Sequence, residues 1–581
     1  MNNYQIWTHF GAAYEMQEQQ SADGVKLVKL TFTYPKEAAE KDRVIGIDFV
    51  FPIVDINGWW TPSIGLDREL RADWAGSETS LTASSAPVAC FFNGNSMNRG
   101  TFAWSEINQK VEIRYGVHEE DGTMLCKTRI HLTRGTFDDG YQVVFKEDFS
   151  DRPYWEVLRD TVDWWEKEKN LTYLTAPKAA REPLYSFWYS FHQNVDEKSV
   201  EAECELAAKM GFNAVIVDDG WQTADNNRGY AFCGDWEIEP TKFPDFAAHV
   251  KRVQALGLKY MLWFSVPFIG IYAKAWDRFK DKMLYMDGKK WGVLDLRYPD
   301  AREYLLSIYE KAVFEWNLDG LKLDFIDKYH MRPESPAWKE GMDYADIQEA
   351  LMCLLSEVNT RFRTKKPDLL IEFRQSYVGP QLQCYGNMFR VGDCPESGIR
   401  NRVGIADIRL LSKSVAVHSD MLMWHPQEKP EDAALQVLDC LFGVLQFSVN
   451  LDTMTDEAQK MVAFWMNFMR DHMDLLQNTT ICPKEPENLY PEISVCDGNE
   501  AVLAHYSKGR VVNLDSGWNT LYYVHAVKAE AVVIRNCNGV KYAYETVDCM
   551  GNVYASGQLD GSLFAELEVP TAGMVTFVNP S

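Results

Sequence analysis

Asp319-Gly320-Leu321-Lys322-Leu323-Asp324 is a short apolar run that sets a lysine and an aspartate two residues apart and stops at the aspartate. Successive side chains on a strand point to opposite faces, so Lys322 and Asp324 share one face. In a β/α barrel the catalytic groups stand at the C-terminal ends of strands. A cation on the same face keeps such a carboxylate ionised, and an ionised aspartate in a pocket can act as a nucleophile toward a sugar carbon. A buried ion pair that only closes a strand has the same local pattern, so the flanking sequence has to decide.

Working outward, strands and helices alternate from about 180 to 480. Leu184 to Phe191 reads as the first strand. Asp196 caps a helix whose apolar positions Val200, Cys204 and Ala207 share a face and which Gly211 ends. Asn213 to Asp218 is the second strand. A helix from about Asp245 ends at Gly257, and Leu258 to Phe264 is the third. A helix from about Asp300 to Trp316 leads into the fourth, at Asp324. Leu369 to Phe373, Met388 to Val391, Ser414 to Val417 and Leu445 to Val449 complete eight. Eight alternating units over about 300 residues predict a (β/α)8 TIM barrel rather than a doubly wound sheet.

The flanks read differently. Ile45, Ile47, Phe49 and Phe51 alternate, as do Val111, Ile113, Tyr115 and Val117 ahead of the turn pair Asp121-Gly122. Such runs predict an N-terminal β-sandwich over 1–175. Short strands from Ala501, Val511, Ala531 and Tyr542 predict a small C-terminal β domain over 485–581, with the barrel over 176–484. The fold class is therefore multidomain, with a central barrel. A length of 581 residues suits several domains.

Composition excludes whole classes of function. The net charge of −25 is repelled by phosphate backbones and anionic membranes, so no nucleic-acid or membrane partner is expected. No apolar run reaches the length of a span. The opening MNNYQIWTHFGAAYEM lacks a basic region followed by an apolar stretch. The 12 cysteines form no Cys-x-x-Cys pair, which argues against a zinc ribbon or disulfide framework. These features lead us to expect a cytoplasmic protein. The 19 tryptophans include neighbours such as Trp59 with Trp60; indole rings stack on sugars, although most tryptophans are core.

Acids gather at the predicted strand ends. Strand two ends in Asp218-Asp219-Gly220-Trp221, strand three in Trp263-Phe264 and strand four in Asp324. Strand five carries Glu372 and Arg374 on one face. Strand six ends in Arg390-Val391-Gly392-Asp393, and His418-Ser419-Asp420 closes strand seven, as rim or as structural network. Two adjacent carboxylates are costly to bury without partners, and sugar hydroxyls are suitable ones.

The ordered set VDDGWQ (217–222), GDWEIEPTKFP (234–244), GLKYMLWF (257–264), LDLRYPDAREYL (294–305) and DGLKLDFID (319–327) resembles the melibiase group of glycoside hydrolases. These are the α-galactosidases of families 27 and 36 and their clan relatives. The likeness extends weakly to FRVGDCPESGIR (389–400), and the three-part layout resembles family 36. The resemblance implies a retaining, exo-acting α-galactosidase that needs no metal or cofactor and takes an oligosaccharide or glycoside substrate. It implies Asp324 as nucleophile and Asp393 as acid/base, with Glu396 as the fallback. Asp218 and Asp219 would hold the sugar 4- and 6-hydroxyls, Lys322 would flank the nucleophile, and Trp221, Asp235, Trp236 and Trp263 would line the pocket. Trp59 or Trp60 would be an aromatic lent by the N-terminal domain. Longer relatives are often oligomers, so a homo-oligomer stays open.

Retention needs the two carboxyl groups about 5–5.5 Å apart, and alternate strands share an interior layer. Asp393 is expected to have a raised pKa, from burial and from Asp324. The chain departs from the family after strand five. Arg374 stands where many members carry a small or cysteine-containing motif, and it either reads the sugar 2-position or pairs with an acid. Three alternatives stay open: an α-N-acetylgalactosaminidase, a galactosyl transferase of the raffinose-synthase kind, and a non-catalytic glycan-binding protein.

Overall fold

The protein is described by a computed structural model, which covers residues 4–9, 11–34, 43–133, 137, 140–514 and 517–579. The eight central segments are β1 (Leu184–Ser186), β2 (Ala214–Val217), β3 (Lys259–Ser265), β4 (Gly320–Asp324), β5 (Leu370–Arg374), β6 (Met388–Arg390), β7 (Ala416–His418) and β8 (Gln446–Phe447). They pair in parallel in chain order, with β8 beside β1. Parallel bridges from His418 to Val444 and from Leu422 to Phe447 close the ring between β7 and β8. The structure is thus a TIM barrel with β domains on either side in sequence.

Side-chain alternation divides the barrel interior into layers. At the bottom lie Leu184, Ala214, Ile216, Met261, Leu370, Met388, Ala416 and Val444, one apolar cluster. Gly320 fills its place there because nothing larger fits: a Cβ on it would stand 2.6 Å from Leu370 Cβ and 2.9 Å from Met261 Cγ. One step higher, Trp263 pairs with Lys322, and Lys322 with Glu372. Higher still, Ser265 pairs with Asp324, while Arg374, Arg390 and His418 stand abreast. The period of two therefore turns one strand, GLKLD, from apolar packing into a charged ceiling within five residues.

The helix signals act as their chemistry requires. Asp196 accepts from Ser199 N–H at 2.8 Å at the start of Glu197–Met210, and Gly211 ends it at φ 87°. Asp245 accepts from Ala248 N–H at 3.1 Å ahead of Phe246–Ala255. One segment differs: the strand expected over Leu184 to Phe191 stops at Ser186. Trp188–Phe191 is a helical turn, because the Ser448 hydroxyl oxygen accepts the Tyr189 and Ser190 N–H groups at 3.0 Å.

Before the barrel, two antiparallel sheets of five and six strands face each other. Ile45, Ile47, Phe49 and Phe51 of Arg43–Pro52 pack against Val28, Leu30, Phe102 and Phe145 of the other sheet. After it, sheets of seven and three strands enclose Val512, Leu514, Tyr523, Ile534 and Phe577. All 12 cysteines are unpaired. Among the described residues no helix is long and apolar enough to cross a membrane.

Candidate active site

Asp324 ends β4 as a nearly buried carboxylate with four hydrogen-bond donors around it. Arg374 Nε and Phe325 N–H donate to Oδ1, each at 2.8 Å, and the Tyr377 hydroxyl donates to the same oxygen. Trp263 Nε1 donates to Oδ2 at 2.9 Å. Burial raises its pKa, but Arg374, Lys322 and these hydrogen bonds outweigh it and hold the carboxyl well below the usual range.

The lysine on the same strand does something different from what its sequence position suggests. Lys322 Nζ lies 2.6 Å from Asp218 Oδ2, so its direct partner is the acid just past β2. Its effect on Asp324 is a longer-range one, second to that of Arg374. Asp218 Oδ1 accepts from Asp219 N–H at 3.0 Å. Asp219 receives Gln193 Nε2 on one oxygen and Gln222 Nε2 on the other, each at 2.6 Å. Burial pushes Asp219 up to about 6 against the pull of those two amides, with the Asp218 charge adding to the rise.

Asp393 stands just past β6 with its side chain half exposed and Arg390 Nη2 at 2.8 Å. Its pKa is lowered, contrary to the expected rise. Burial raises it, yet Arg390, Arg374 and Lys322 together hold the ionised form. Arg390 is itself almost wholly buried. It also bonds Asp420 and lies 3.6 Å from Glu372. Asp420 receives the Tyr189 hydroxyl at 2.9 Å and Cys394 N–H at 2.6 Å. His418 Nε2 donates to Ala180 O at 2.7 Å, its Nδ1 accepts from Gln446 Nε2 at 3.3 Å, and burial pushes the ring down to about 3. His418 and Asp420 thus belong to a buried network behind Asp393. Glu396, at φ 59°, is exposed.

Several aromatic residues expected at the wall are core. Trp221 has no exposed surface: its indole N–H donates to Trp263 O at 3.0 Å, and its ring packs on Trp236, Phe264 and Trp316. Trp236 is buried edge-on against Trp263. Trp263 is also buried, but its N–H reaches Asp324. Trp59 lies inside the sandwich on Phe91 and Tyr115. Trp60 donates to Asp407 at 2.8 Å. Both rings are buried, Trp60 completely. Asp235 accepts Lys274 N–H and Ala275 N–H at 2.8 Å, fixing the start of the Ala275–Phe279 turn.

Apart from Arg390 at the end of β6, the residues that the sequence reading missed lie between strands. Gln222 was in plain view at the end of VDDGWQ, and Arg390 carried a signal in its inward position at a strand end. Tyr377, Gln193 and Tyr189 sit on loops or turns, where no periodicity marks which way a side chain points. Among the described residues, Glu197, Glu201 and His249 form a group with metal-ligand chemistry. Arg252 already bridges those two glutamates at 3.1 and 2.8 Å and satisfies their charge.

Residues 175–479, which are 305 of the 581, match the family described as Melibiase. Alpha-galactosidase 2 of Pediococcus pentosaceus is 24% identical over 211 residues, 35% of this chain and 29% of that protein. Alpha-galactosidase AgaA of Geobacillus stearothermophilus is 25% identical over 344 residues, 57% of this chain and 45% of that one. The chain thus matches less than half the length of these curated relatives. The crystal structure of the GH36 α-galactosidase AgaA superposes with a TM-score of 0.63 at 14% identity, covering 100% of this chain and 88% of that one. A variant of the same relative is known in complex with raffinose.

Proposed function

The chain belongs to the melibiase family, and from that premise we propose that it is an exo-acting retaining α-galactosidase. One observation carries the reading: a carboxylate held ionised at the end of β4, in a charged layer with an acid pair just past β2 and a half-exposed acid just past β6. In this reading Asp324 attacks the anomeric carbon, and Asp393 protonates the leaving oxygen and later takes a proton from water. Asp218, Asp219 and Lys322 bind hydroxyls of the terminal sugar. A sugar seated over Asp393 strips its water and raises its pKa, while Asp420 and Glu372 remain to hold Arg390. The substrate is a galactose-capped oligosaccharide or glycoside, and the division at 175 and 484 belongs to the same proposal.

The test is release of nitrophenol from 4-nitrophenyl α-galactoside beside the α-N-acetylgalactosaminide, the α-glucoside and the β-galactoside. Turnover confined to the α-galactoside is expected. Turnover of the acetamido sugar alone would overturn the specificity and keep the mechanism. Silence on all four would favour a transferase or a glycan-binding protein.

The pH profile has a definite sign. Asp324 stays ionised to well below the usual carboxylate range, so it does not set the acid limb. Asp219 accepts hydroxyl hydrogen bonds best when ionised, and its pKa is about 6. Galactose affinity, read by calorimetry, is therefore expected to fall as pH drops through about 6. Gln222→Leu removes a hydrogen bond that lowers this pKa, so the limb should move to higher pH. A limb unmoved in that variant would exclude Asp219 as its source.

A further inference from the structure

The four donors to Asp324 are unevenly divided. Arg374 Nε, Phe325 N–H and the Tyr377 hydroxyl converge on Oδ1, whereas among the described residues Oδ2 receives only Trp263 Nε1. A carboxylate oxygen has about two lone-pair sites. Oδ1 is thus saturated, and Oδ2 keeps a site for another atom.

The loop that carries Tyr377 is held from outside the barrel. Ser85 N–H, from the N-terminal region, donates to Ser376 O at 2.9 Å. Gly379 lies so close that a Cβ there would stand 2.7 Å from Ser85 O. The guanidinium of Arg374 lies 5.1 Å from the Phe325 ring centre and 5.4 Å from that of Tyr377. The contacts to Oδ1 therefore belong to one packed unit braced by the sandwich.

Resting on the retaining reading above, we propose that Oδ2 of Asp324 is the attacking atom and that Tyr377 is a positioning residue whose hydroxyl favours the second chemical step. In the first step a bond forms between Oδ2 and C1. The C1–O bond to the leaving group breaks, and its electron pair leaves with that oxygen, which takes the proton of Asp393. Asp324 loses charge as this ester forms, so donors to Oδ1 resist the step. In the second step water oxygen bonds to C1 and gives its proton to Asp393. The C1–Oδ2 bond breaks, and its pair returns to Asp324. The carboxylate is now the leaving group, and the same donors stabilise the charge that returns to it.

Tyr377→Phe removes one oxygen and keeps the ring packing. With 4-nitrophenyl α-galactoside, kcat should fall about tenfold or more, KM should fall with it, and kcat/KM should change by less than about threefold. Stopped-flow traces should show a burst of nearly one nitrophenol per active site as the glycosyl-enzyme accumulates. A crystal structure of that trapped intermediate should show C1 bonded to Oδ2. An ester on Oδ1, or kcat and kcat/KM falling equally with no burst, would overturn the clamp. So would unchanged kinetics in an active protein. A wild-type protein silent toward the galactoside would overturn the functional reading itself, and the clamp with it. The unfolding midpoint of the variant, expected near that of the wild type, separates these results from loss of fold.

Discussion

Asp324→Asn is expected to lower turnover of 4-nitrophenyl α-galactoside by about ten-thousandfold or more, the scale seen when a covalent nucleophile is removed. An amide cannot form the ester that the two-step route requires. The substitution keeps size and shape, and the amide oxygen can still accept from the Arg374, Tyr377 and Phe325 donors on Oδ1. The NH2 group would then face the Trp263 N–H, donor against donor, at a site where 2.9 Å now separates donor from acceptor. Arg374 would also lose its ion-pair partner. A stability loss of about 1–3 kcal/mol should therefore accompany the loss of activity.

That stability loss has a pH signature. The folded pKa of Asp324 is depressed, so its contribution is present above the ordinary carboxylate value and is lost only as pH falls through the depressed one. The difference in unfolding midpoint between wild type and variant should hold from neutral pH down into the usual carboxylate range. Sugar binding by the folded variant, read by calorimetry with galactose, should persist. Retained turnover would remove Asp324 from the nucleophile's role.

Asp407→Ala is expected to have the largest effect on stability, about 3–5 kcal/mol, the cost of stranding a buried charge. Asp407 lies on the helix Gly398–Leu411 and gathers groups from both sides of the barrel in sequence. Arg68 Nη2 stands 2.7 Å from Oδ2, while Trp60 Nε1 at 2.8 Å and the Tyr490 hydroxyl at 2.6 Å donate to Oδ1. Arg68 has 1% of its side chain exposed, so water cannot replace the lost carboxylate. The unfolding midpoint should drop, and the N-terminal region should become more open to protease in native buffer. A double variant that also replaces Arg68 with Met should recover part of the loss, because no unpaired cation then remains. An Asp407→Ala midpoint within a degree or so of wild type would mean that this node does not tie the segments together.

The pattern of eight alternating units was legible because strand and helix periods differ and two of the helices end at a glycine stop signal, Gly211 and Gly257. Asp196 and Gly211 show it most plainly, the one capping through its side chain and the other turning the chain at a positive φ. The acids at strand ends were legible for a related reason: a strand's period of two fixes which residues face the interior, and a polar residue facing inward at a strand end stands out. Trp221, Trp59 and Trp60 carry no such logic. An indole suits a sugar face and a protein core equally well, and no spacing separates the two.

Sequence alone determined the order of the elements, the shared face of Lys322 with Asp324 and of Glu372 with Arg374, and the placing of carboxylates at the ends of β2 and β4 and just past β6. Each follows from local backbone geometry repeated along the chain. Tertiary structure alone decided which charge meets which. Lys322 goes to Asp218 on another strand, Arg374 takes Asp324, and Arg390 holds Asp393 with its pKa down. Tyr377 and Gln193 enter from connecting segments whose course no periodicity encodes. Ion pairing depends on reach across strand register and on what water is left to compete, and both exist only once the barrel has closed.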